Sequence, residues 1–415
     1  MGNDNNKGLY GLLGRKLGHS FSPQIHKAFG GYDYELFERE PEEVGDFIKN
    51  GGFKAINVTI PYKRAVMEFC DELSEVAIAA NSVNTVIRMD DGRIIGDNTD
   101  YYGFRYMLES EGLSPAGQKT LVLGSGGVSG TVIKALQDMG ASEVITISRS
   151  GENNYDNLDK HYDAGFIVNT TPVGMYPDNE GCVIDVKNFP SCKGCADLVY
   201  NPLRTRFVVE SREAGIPAVS GLSMLVAQAA KACNLFIGID VPDEAIREQV
   251  AILERGHENI VLIGMPGCGK SSVAAELAKI TGKPLVDTDT LIKEMTGRTP
   301  SEIINEDGEP AFRDIETKAL AEALHTGGKI IASGGGIVER DENRLLMIRN
   351  SRVLYIKRDL ENLPSNDRPV SQRDGVKKIY ERRHGKYEGW SDFTVDNNGE
   401  LNSTVEEAAW VLGYK

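Results

Sequence analysis

Two glycine-rich turns in this 415-residue chain have residue types and spacing that suit the binding of phosphate groups. The second turn follows the apolar run "NIVLI" and reads Gly264-x-x-x-x-Gly269-Lys270-Ser271. Glycines let backbone amides turn inward around phosphate oxygens, the lysine reaches the outer phosphates, and the serine hydroxyl can bind Mg²⁺. The pattern predicts a site for nucleotide phosphates and Mg²⁺, with a chance glycine-rich turn as the plainer alternative. The residues expected to form the site are Gly264, Gly267, Gly269, Lys270, Ser271 and Ser272.

Two carboxylates, Asp287 and Asp289, end the next strand-like run, "KPLVDTDTL". In open α/β sheets ligands bind at the edge where the strands end, and these side chains are expected there. One carboxylate can hold Mg²⁺ while the other takes a proton from an attacking hydroxyl, and we assign the metal to Ser271 and Asp287. The plainer interpretation is that both aspartates only cap the next helix.

The first glycine-rich turn, "LVLGSGGVSG" at 121–130, is a variant of the dinucleotide-binding fingerprint. The next strand-like run, "SEVITISRS", ends in an arginine between serines, where NAD-binding proteins commonly carry an acidic residue for the ribose. Because arginine and hydroxyls suit a 2′-phosphate, the pattern favours NADP over NAD, although Arg149 could be only a surface charge. The residues expected to hold this cofactor are Gly124, Gly126, Gly127, Val128, Ser129, Ser148, Arg149 and Ser150.

A lysine and an aspartate lie at two further junctions between strand-like and helix-like runs. In "INVTIPYKRAV", Pro61 is the residue type favoured at a first helical position, which predicts Lys63 in the first turn of a helix. The positive end of the helix dipole disfavours a charge there, and a lysine that titrates easily suits acid–base catalysis. In "IIGDNTDYYGF", Asp100 has a similar position. A solvated lysine and a helix cap are the plainer alternatives.

Segments with the periods of strands and of helices alternate along the whole chain, which predicts an α/β protein with mainly parallel sheets. A chain of 415 residues is too long for one ordinary core. We predict an N-terminal α/β substrate domain at 1–105, completed by a helix at about 222–254, and a Rossmann-type NADP domain at 106–221. A linker at 255–258, in the polar run "LERGHE", is expected to precede a P-loop α/β domain at 259–415.

Composition excludes several other classes of protein. A net charge of −15 argues against a nucleic-acid partner, which would need a basic face. No apolar run approaches the ~18 residues of a membrane span, and "MGNDNNKG" lacks an apolar signal region, so we expect a cytoplasmic protein. Six cysteines are too few for a disulfide scaffold. Cys192 and Cys195 form one "CKGC" without a second pair, so two reduced thiols are expected rather than a metal or redox site.

The first part of the chain carries, in this order, "GRKLGHSFSP", "NVTIPYK", "NSVNTV", "GDNTD", "NTTPVGM", "DLVYNP" and "GLSMLVAQAA". With these segments it resembles shikimate dehydrogenase from residue 8 to about 254. The resemblance implies reduction of 3-dehydroshikimate by NADPH, with Lys63 and Asp100 as the catalytic pair. It implies that Ser20 and Ser22 contact the substrate carboxylate, although Ser22 could instead only cap a helix before Pro23. The residues that it places around the substrate ring are Asn57, Thr59, Asn84, Tyr200 and Gln228.

The P-loop, "DTD", "FRDIE", "SGGG" and "RPV" follow one another in an order and spacing that resemble shikimate kinase over 259–415. The resemblance implies ATP-dependent phosphorylation of a ring hydroxyl of shikimate. It implies that Asp289 is the base and that Lys270 and Arg368, the latter in a closing lid, approach the phosphates. The residues that it places at the carboxylate and the ring are Arg313, Gly335, Gly336 and Arg383.

The two halves thus resemble enzymes of consecutive steps, and the product of the first is the substrate of the second. The expected partners are small molecules: 3-dehydroshikimate, shikimate, NADP(H), ATP and Mg²⁺. Two alternatives stay open: a dehydrogenase that also accepts quinate, because a pocket excludes one extra hydroxyl poorly, and a metabolite sensor without turnover. Loss of Lys63, Asp100, Lys270 or Asp289 would favour the sensor, but all four are present.

Overall fold

The computed structural model describes residues 9–18, 20–363 and 375–414. Contacts divide the chain into two compact units, with the division between Leu253 and Glu254. Each unit has its own hydrophobic cores. Within the described ranges, no helix combines the length and the apolar character that crossing a bilayer demands.

The first sheet of the N-terminal unit has six strands in the order β2-β1-β3-β5-β6-β4. Its strands are β1 (Tyr10–Gly14), β2 (Glu35–Glu38), β3 (Ala55–Val58), β4 (Glu72–Leu73), β5 (Thr85–Arg88) and β6 (Ile94–Asp97). The helices α1 (Ser22–Gly30), α2 (Val44–Asn50) and α3 (Glu75–Ala80) belong to this part of the unit. β5 runs antiparallel to β3 and to β6, so this sheet is mixed rather than parallel throughout. All four residues of β3 are buried, because the strand lies inside the sheet.

The second sheet of this unit is parallel throughout, in the order β11-β10-β9-β7-β8. It consists of β7 (Lys119–Leu123), β8 (Glu143–Ile147), β9 (Phe166–Asn169), β10 (Gly194–Asp197) and β11 (Ala218–Ser220), with the helices α5 (Ser129–Asp138) and α6 (Arg206–Glu213). The chain steps from β7 outward to β8 and then back to β9 on the other side. In doubly wound sheets such a switch point opens a crevice at the strand ends, where ligands bind.

Two helices complete the N-terminal unit, α4 (Asp100–Ser110) and α7 (Leu222–Ile237), and a third, α8 (Asp243–His257), begins in it and ends beyond the division after Leu253. The border predicted after Arg105 falls inside α4, so a domain border there would cut a helix. The linker predicted at 255–258 is also different, because α8 continues to His257. The run "LERGHE" is polar because it is the end of an amphipathic helix, not because it is a linker. The buried face of that helix is formed by Ile246, Gln249 and Leu253.

The C-terminal unit is built on a five-stranded parallel sheet in the order β13-β14-β12-β15-β16. Its strands are β12 (Asn259–Ile263), β13 (Leu285–Asp287), β14 (Ile330–Ala332), β15 (Ser351–Lys357) and β16 (Phe393–Asp396). Its helices are α9 (Lys270–Thr281), α10 (Thr288–Thr296), α11 (Pro300–Asp307), α12 (Glu309–Leu324), α13 (Glu342–Asn350), α14 (Val376–Trp390) and α15 (Leu401–Val411). Every residue of β12 is buried, which places the turn that follows it at the centre of the sheet edge.

Short 3₁₀ helices connect several of these elements. They are Pro41–Glu43, Ala65–Phe69, Tyr155–His161, Val186–Asn188, Ile337–Glu339 and Leu360–Asn362.

We predict that the two units fold independently, because each has cores of its own and is long enough to bury them. Pieces 1–257 and 254–415, which overlap so that neither loses the end of α8, should each unfold in one cooperative thermal transition. Circular dichroism of both pieces and of the intact chain would check this. An insoluble or non-cooperative piece, beside an intact chain that folds, would contradict it.

Candidate active sites

Lys63 and Asp100 form a direct ion pair in the N-terminal unit, with 2.6 Å between Nζ and Oδ2. The two side chains are 16% and 10% exposed, so the pair is largely withdrawn from water but still reachable by a ligand. Asp100 is the first residue of α4, as predicted. The helix predicted at Pro61 is wrong: residues 60–64 form a turn, and a 3₁₀ helix begins only at Ala65. The charge near Lys63 is therefore the Asp100 carboxylate and not a helix dipole.

Asn84 lies at the centre of a buried polar network. Its Oδ1 accepts from the Thr99 backbone N–H at 2.7 Å, and its Nδ2 donates to the Thr99 hydroxyl at 3.1 Å. The Thr99 hydroxyl also lies 3.2 Å from Oε1 of Gln228 on α7. Because Thr99 directly precedes Asp100, this network joins two predicted ring contacts to the start of the helix that carries the catalytic carboxylate.

Asn57 is held on three sides by other residues. Its Nδ2 donates to the Asn84 carbonyl at 3.3 Å and to the Thr85 hydroxyl at 3.1 Å, and its Oδ1 accepts from the Tyr34 hydroxyl at 2.8 Å. Both amide hydrogens are thus used inside the protein. A ligand hydroxyl that meets this side chain must donate to Oδ1, which keeps one free acceptor position. Thr59 follows at the end of β3, where its backbone N–H donates to the Leu13 carbonyl.

The two serines predicted at the substrate carboxylate lie at the start of α1. Ser22 is the first residue of the helix and is buried, and the hydroxyl of Ser20 accepts from its backbone N–H at 3.2 Å. The suggestion that Ser22 caps the helix is wrong, because the N-cap position belongs to Phe21. The Phe21 ring lies 5.6 Å from the ring of Tyr200, which brings another predicted ring contact to the same helix end.

The first glycine-rich turn has the shape that a pyrophosphate needs. Gly124 has a φ of 111°, a backbone conformation that residues other than glycine rarely adopt. A Cβ at Gly126 or Gly127 would meet no atom within 4 Å, so the turn faces open space at the N-terminus of α5. The Ser129 hydroxyl donates to the Gly126 carbonyl at 2.7 Å and closes the turn from inside. These residues fit a dinucleotide, with backbone amides and the helix end facing its phosphates.

The strand end next to this turn carries the residues predicted at the ribose. Ser148 directly follows β8, and its backbone N–H donates to the Asn153 carbonyl at 3.1 Å. Arg149 and Ser150 are exposed and follow it. Their contact with a 2′-phosphate stays a prediction. Val128, the last residue before α5, is half-buried in the same turn.

Asp197 is a buried carboxylate that the sequence did not single out. Its Oδ1 accepts from Asn169 Nδ2 at 2.9 Å and from the Val199 N–H at 3.0 Å, and its Oδ2 accepts from the Thr205 hydroxyl at 2.5 Å. Burial raises its pKa to about 6, which these hydrogen bonds oppose. The side chain ties together the end of β9, the chain after β10 that includes Tyr200, and the start of α6.

The second glycine-rich turn closes on its own lysine. Gly264, Gly267 and Gly269 have φ values of 144°, 84° and 101°. The buried Lys270 donates from Nζ to the carbonyls of Gly264 and Met265, both at 3.0 Å. These carbonyls are weak partners that a phosphate would replace, so the turn fits a nucleotide. The neighbouring Ser271 and Ser272 are exposed on the first turn of α9.

Ser271 and Asp287 meet where the metal was predicted. The Ser271 hydroxyl donates to Oδ2 of Asp287 at 2.9 Å. The other oxygen, Oδ1, accepts from the backbone N–H groups of Asp289 and Thr290 at 3.0 and 3.2 Å and so caps α10. The cap and the metal site are therefore not exclusive alternatives, because each uses a different oxygen. A hydroxyl and a carboxylate oxygen are the hard ligands that Mg²⁺ prefers.

Arg313 is buried between two glutamates of its own helix, α12. Its Nη1 donates to Glu316 at 2.6 Å and its Nη2 to Glu309 at 2.8 Å. Burial raises the pKa of Glu316, against the pull of Arg313. A Cβ on Gly336 would lie 1.9 Å from Nη1 of Arg313, so only glycine lets the chain pass this guanidinium.

Arg383 is 2% exposed and is also fixed by the protein. Its Nε donates to Oε1 of Glu339 at 2.5 Å, and its Nη1 donates to the Gly335 carbonyl at 3.0 Å. The Tyr387 hydroxyl donates to the same carbonyl. The buried Nη2 of Arg383 has no hydrogen-bond partner among the described residues and is therefore available to a ligand.

The glycine run 334–336 brings the predicted base, the arginines and the phosphate turn together. A Cβ on Gly334 would lie 2.5 Å from Oε1 of Glu316 and 3.4 Å from Oδ1 of Asp289. A Cβ on Gly335 would lie 2.6 Å from Pro266 in the phosphate turn. Residues predicted from separate motifs thus lie near one another, and Arg368 is outside the described residues.

Sequence reasoning missed several residues of these sites. Glu309 and Glu316 had a usable signal, since they lie four residues before and three after Arg313, the spacing of neighbours on a helix. Tyr34, Thr99 and Glu339 had none, because each meets its partner through the folding of distant segments.

Three stretches of the chain match models of known protein families. Residues 12–86 match the shikimate dehydrogenase substrate binding domain, and residues 221–251 match the shikimate 5'-dehydrogenase C-terminal domain. Residues 266–411 match shikimate kinase.

Individual relatives agree with this result. A shikimate dehydrogenase (NADP(+)) of Clostridium perfringens strain 13 is 37% identical over 263 residues, which are 58% of this chain and 96% of that protein. The corresponding enzyme of Methanopyrus kandleri is 36% identical over 274 residues, 58% of this chain and 94% of its own. Among solved structures, a chorismate mutase/shikimate 5-dehydrogenase fusion protein from Clostridium acetobutylicum has a TM-score of 0.57 and 36% identity, covering 60% of this chain and 98% of its own. The Thermus thermophilus shikimate 5-dehydrogenase in complex with NADP(H) and shikimate has a TM-score of 0.54 and 31% identity, with coverages of 59% and 98%.

We predict that Gly336→Ala destabilises the piece 254–415, because the added methyl group would overlap the Arg313 guanidinium. Overpacking of this kind costs ~1–3 kcal/mol. Gly385→Ala is the matched control: it lies inside α14 with no atom within 4 Å of the added Cβ, and it should stabilise the helix by up to ~1 kcal/mol. Urea unfolding of both variants would measure the two opposite shifts. Equal stability of the two variants would contradict the close approach at Gly336.

Proposed function

The chain belongs to the shikimate dehydrogenase family in its first unit and carries a shikimate kinase domain in its second, and from this we propose the roles of its residues in two consecutive reactions. It is a bifunctional enzyme of the shikimate pathway: NADPH-dependent reduction of 3-dehydroshikimate to shikimate, then ATP-dependent phosphorylation of shikimate. The observation that carries the proposal is that each unit brings the residues of one reaction into contact, around Lys63 and Asp100 in one and around the glycine run 334–336 in the other.

In the dehydrogenase unit, the turn after β7 would hold NADPH, whose chemistry would be hydride transfer to the ketone of the substrate. Lys63 then donates a proton to the developing alkoxide. Asp100, whose Oδ2 lies 2.6 Å from Nζ, orients Lys63 toward that oxygen. The pair is mostly buried, so the attraction between the two charges is screened less than it would be in water.

The ring of the substrate is proposed to lie against the buried amides. Asn57 accepts from a ring hydroxyl, since both of its amide hydrogens are already used. Asn84 and Gln228 are joined to the start of α4 through Thr99, so a ring hydroxyl bound there is placed at a fixed distance from the catalytic pair. Ser20 and Ser22 bind the carboxylate at the N-terminus of α1, where backbone N–H groups favour an anion.

In the kinase unit, ATP with Mg²⁺ supplies the phosphoryl group. Asp289 takes the proton of the reacting ring hydroxyl, and Lys270 leaves its own loop carbonyls to bind phosphate oxygens. Ser271 and Asp287 would hold the metal. The substrate carboxylate would be bound by Arg313 and by Nη2 of Arg383, which has no hydrogen-bond partner within the described part of the chain.

A sensor that binds these metabolites without turnover is less well supported, because the Lys63–Asp100 pair and the phosphate turn are both assembled. Activity with quinate, preference for NADP over NAD by Arg149 and a cytoplasmic location stay predictions.

Replacing Lys63 with Ala should reduce NADP-linked oxidation of shikimate by at least ~100-fold, because the proton donor is lost. Shikimate-dependent ADP release should stay near the wild-type rate, since Lys63 belongs to the other unit. Both activities would be measured on the same preparation. Substantial remaining dehydrogenase activity would remove Lys63 from the mechanism.

Replacing Arg313 with Ala should weaken shikimate binding to the kinase unit and affect ATP little. A hydrogen bond to a charged group contributes ~1.5–3 kcal/mol, which is about one to two powers of ten in affinity. Titration of each ligand would measure the difference. Arg298→Ala is the control, because Arg298 also pairs with two acidic residues, Glu306 and Asp307, but on the surface.

The Arg313 variant also leaves Glu316 buried without its partner, so its thermal unfolding must be recorded beside the titrations. A folded variant that loses affinity for both ligands equally would contradict the assignment.

A further inference from the structure

The "CKGC" thiols, which belong to neither active site, are in contact. The Sγ atoms of Cys192 and Cys195 lie 3.7 Å apart. Cys192 is in the loop before β10, and Cys195 is the second residue of that strand. All six cysteines lie within the described residues and carry free thiols. Cys192 and Cys195 are the one pair among them whose sulfur atoms are in contact. A disulfide has an S–S length of ~2.05 Å, so closing this pair requires a movement of about 1.7 Å between the sulfur atoms.

The two thiols differ in exposure and in acidity. Cys192 is half-buried and can be reached from solvent, whereas Cys195 is buried. The hydrogen bond between the two sulfurs lowers the pKa of Cys192 and, together with burial, raises the pKa of Cys195. Cys182, equally half-buried but without a neighbouring thiol, has its pKa raised to about 11 by burial. The thiolate therefore forms on the accessible member of the pair, as thiol–disulfide exchange requires.

A metal explains this arrangement less well. Structural zinc sites have four ligands from Cys, His or acidic side chains. Among the described residues, no group of three or more such side chains is placed to hold a metal ion. Two sulfurs alone leave the coordination incomplete, which leaves redox chemistry as the reaction that the pair can carry out by itself.

We propose that Cys192 and Cys195 form a redox-active dithiol that exchanges with small disulfides. The Cys192 thiolate attacks one sulfur of the small disulfide, a mixed disulfide forms, and the other sulfur leaves as a thiolate. Cys195 then passes its proton to the small thiolate released in the first step and attacks Sγ of Cys192, which releases the second small thiolate. The protein loses two electrons and two protons, and the small disulfide is reduced to two thiols.

The position on β10 separates this chemistry from the ring site. Cys195 pairs with Ile167 of β9 and Ala218 of β11, near the beginning of the strand. The strand ends at Asp197, and Tyr200 follows after it. A small disulfide at Cys192 therefore does not compete with substrate, and the exchange does not rest on the proposed function.

The test uses the full chain in buffers of reduced and oxidised glutathione. After equilibration, free thiols are blocked with an alkylating reagent and each cysteine is scored by mass spectrometry. We expect Cys192 and Cys195 to lose their reactivity together as the buffer becomes oxidising and to regain it with dithiothreitol. The remaining cysteines should stay reduced over the same range, because Cys233 and Cys268 are buried and burial raises the pKa of Cys70 and Cys182 to about 11.

Three variants assign the roles of the two sulfurs. Cys195→Ser should accumulate a mixed disulfide with glutathione on Cys192, since the resolving thiol is missing. Cys192→Ser should show no adduct on the buried Cys195. Cys182→Ser is the matched control and should behave as the wild type does.

Continued alkylation of both thiols in the most oxidising buffer would overturn the proposal. So would a Cys195→Ser variant that binds no glutathione when folded but binds it after unfolding in urea, which would show that Cys192 is out of reach. Circular dichroism of each variant ensures that a negative result comes from a folded protein.

Discussion

Parallel strands that end at a common edge are the constraint on which both glycine-rich turns of this protein depend. In such a sheet every strand delivers its following turn to the same side, so residues far apart in sequence meet there. The turns after β7 and β9 meet in this way in the first unit, and those after β12, β13 and β14 meet in the second. The glycines in these turns matter because bound phosphates and neighbouring side chains approach the backbone closely. Gly336, which faces the Arg313 guanidinium, is the clearest case.

Electrostatics impose the second requirement. The chain has a net charge of −15, yet its ligands are anions. The second unit meets this by burying Arg313 and Arg383 and giving each of them carboxylate partners, Glu309 and Glu316 for one and Glu339 for the other. Without such partners the buried guanidinium groups would lose their hydration and gain no interaction in its place. Removal of one member of a buried ion pair lowers the free energy of unfolding by ~3–5 kcal/mol. The pairing of Arg383 with Glu339 leaves Nη2 of Arg383 available among the described residues. The protein thus stabilises the guanidinium charge and keeps one of its N–H donors for the ligand.

The first unit solves the problem of orientation with neutral groups. Asn57, Asn84 and Thr99 satisfy one another in a buried network, which fixes their amides before any ligand arrives. Asp197 has a similar function at the ends of β9 and β10, where it accepts from Asn169 at the end of β9 and from Val199 after β10. Burial raises its pKa, and the hydrogen bonds that it accepts oppose this rise. Rigid support of this kind is what lets a small number of side chains position a substrate.

The sequence by itself determined the α/β class, both glycine-rich turns, the order of the motifs and the identity of Lys63 and Asp100 as a pair. These follow from local information: hydrophobic period, turn chemistry and recognisable segments. Only the tertiary structure decided that these two side chains, 37 residues apart, lie within 2.6 Å, and that Pro61 is in a turn rather than at the start of a helix. It also decided that α8 runs through the predicted linker, and that Tyr34 and Glu339 belong to the sites. The physical reason is that strand order and register set which distant residues meet, and the local pattern around each residue carries no record of that order.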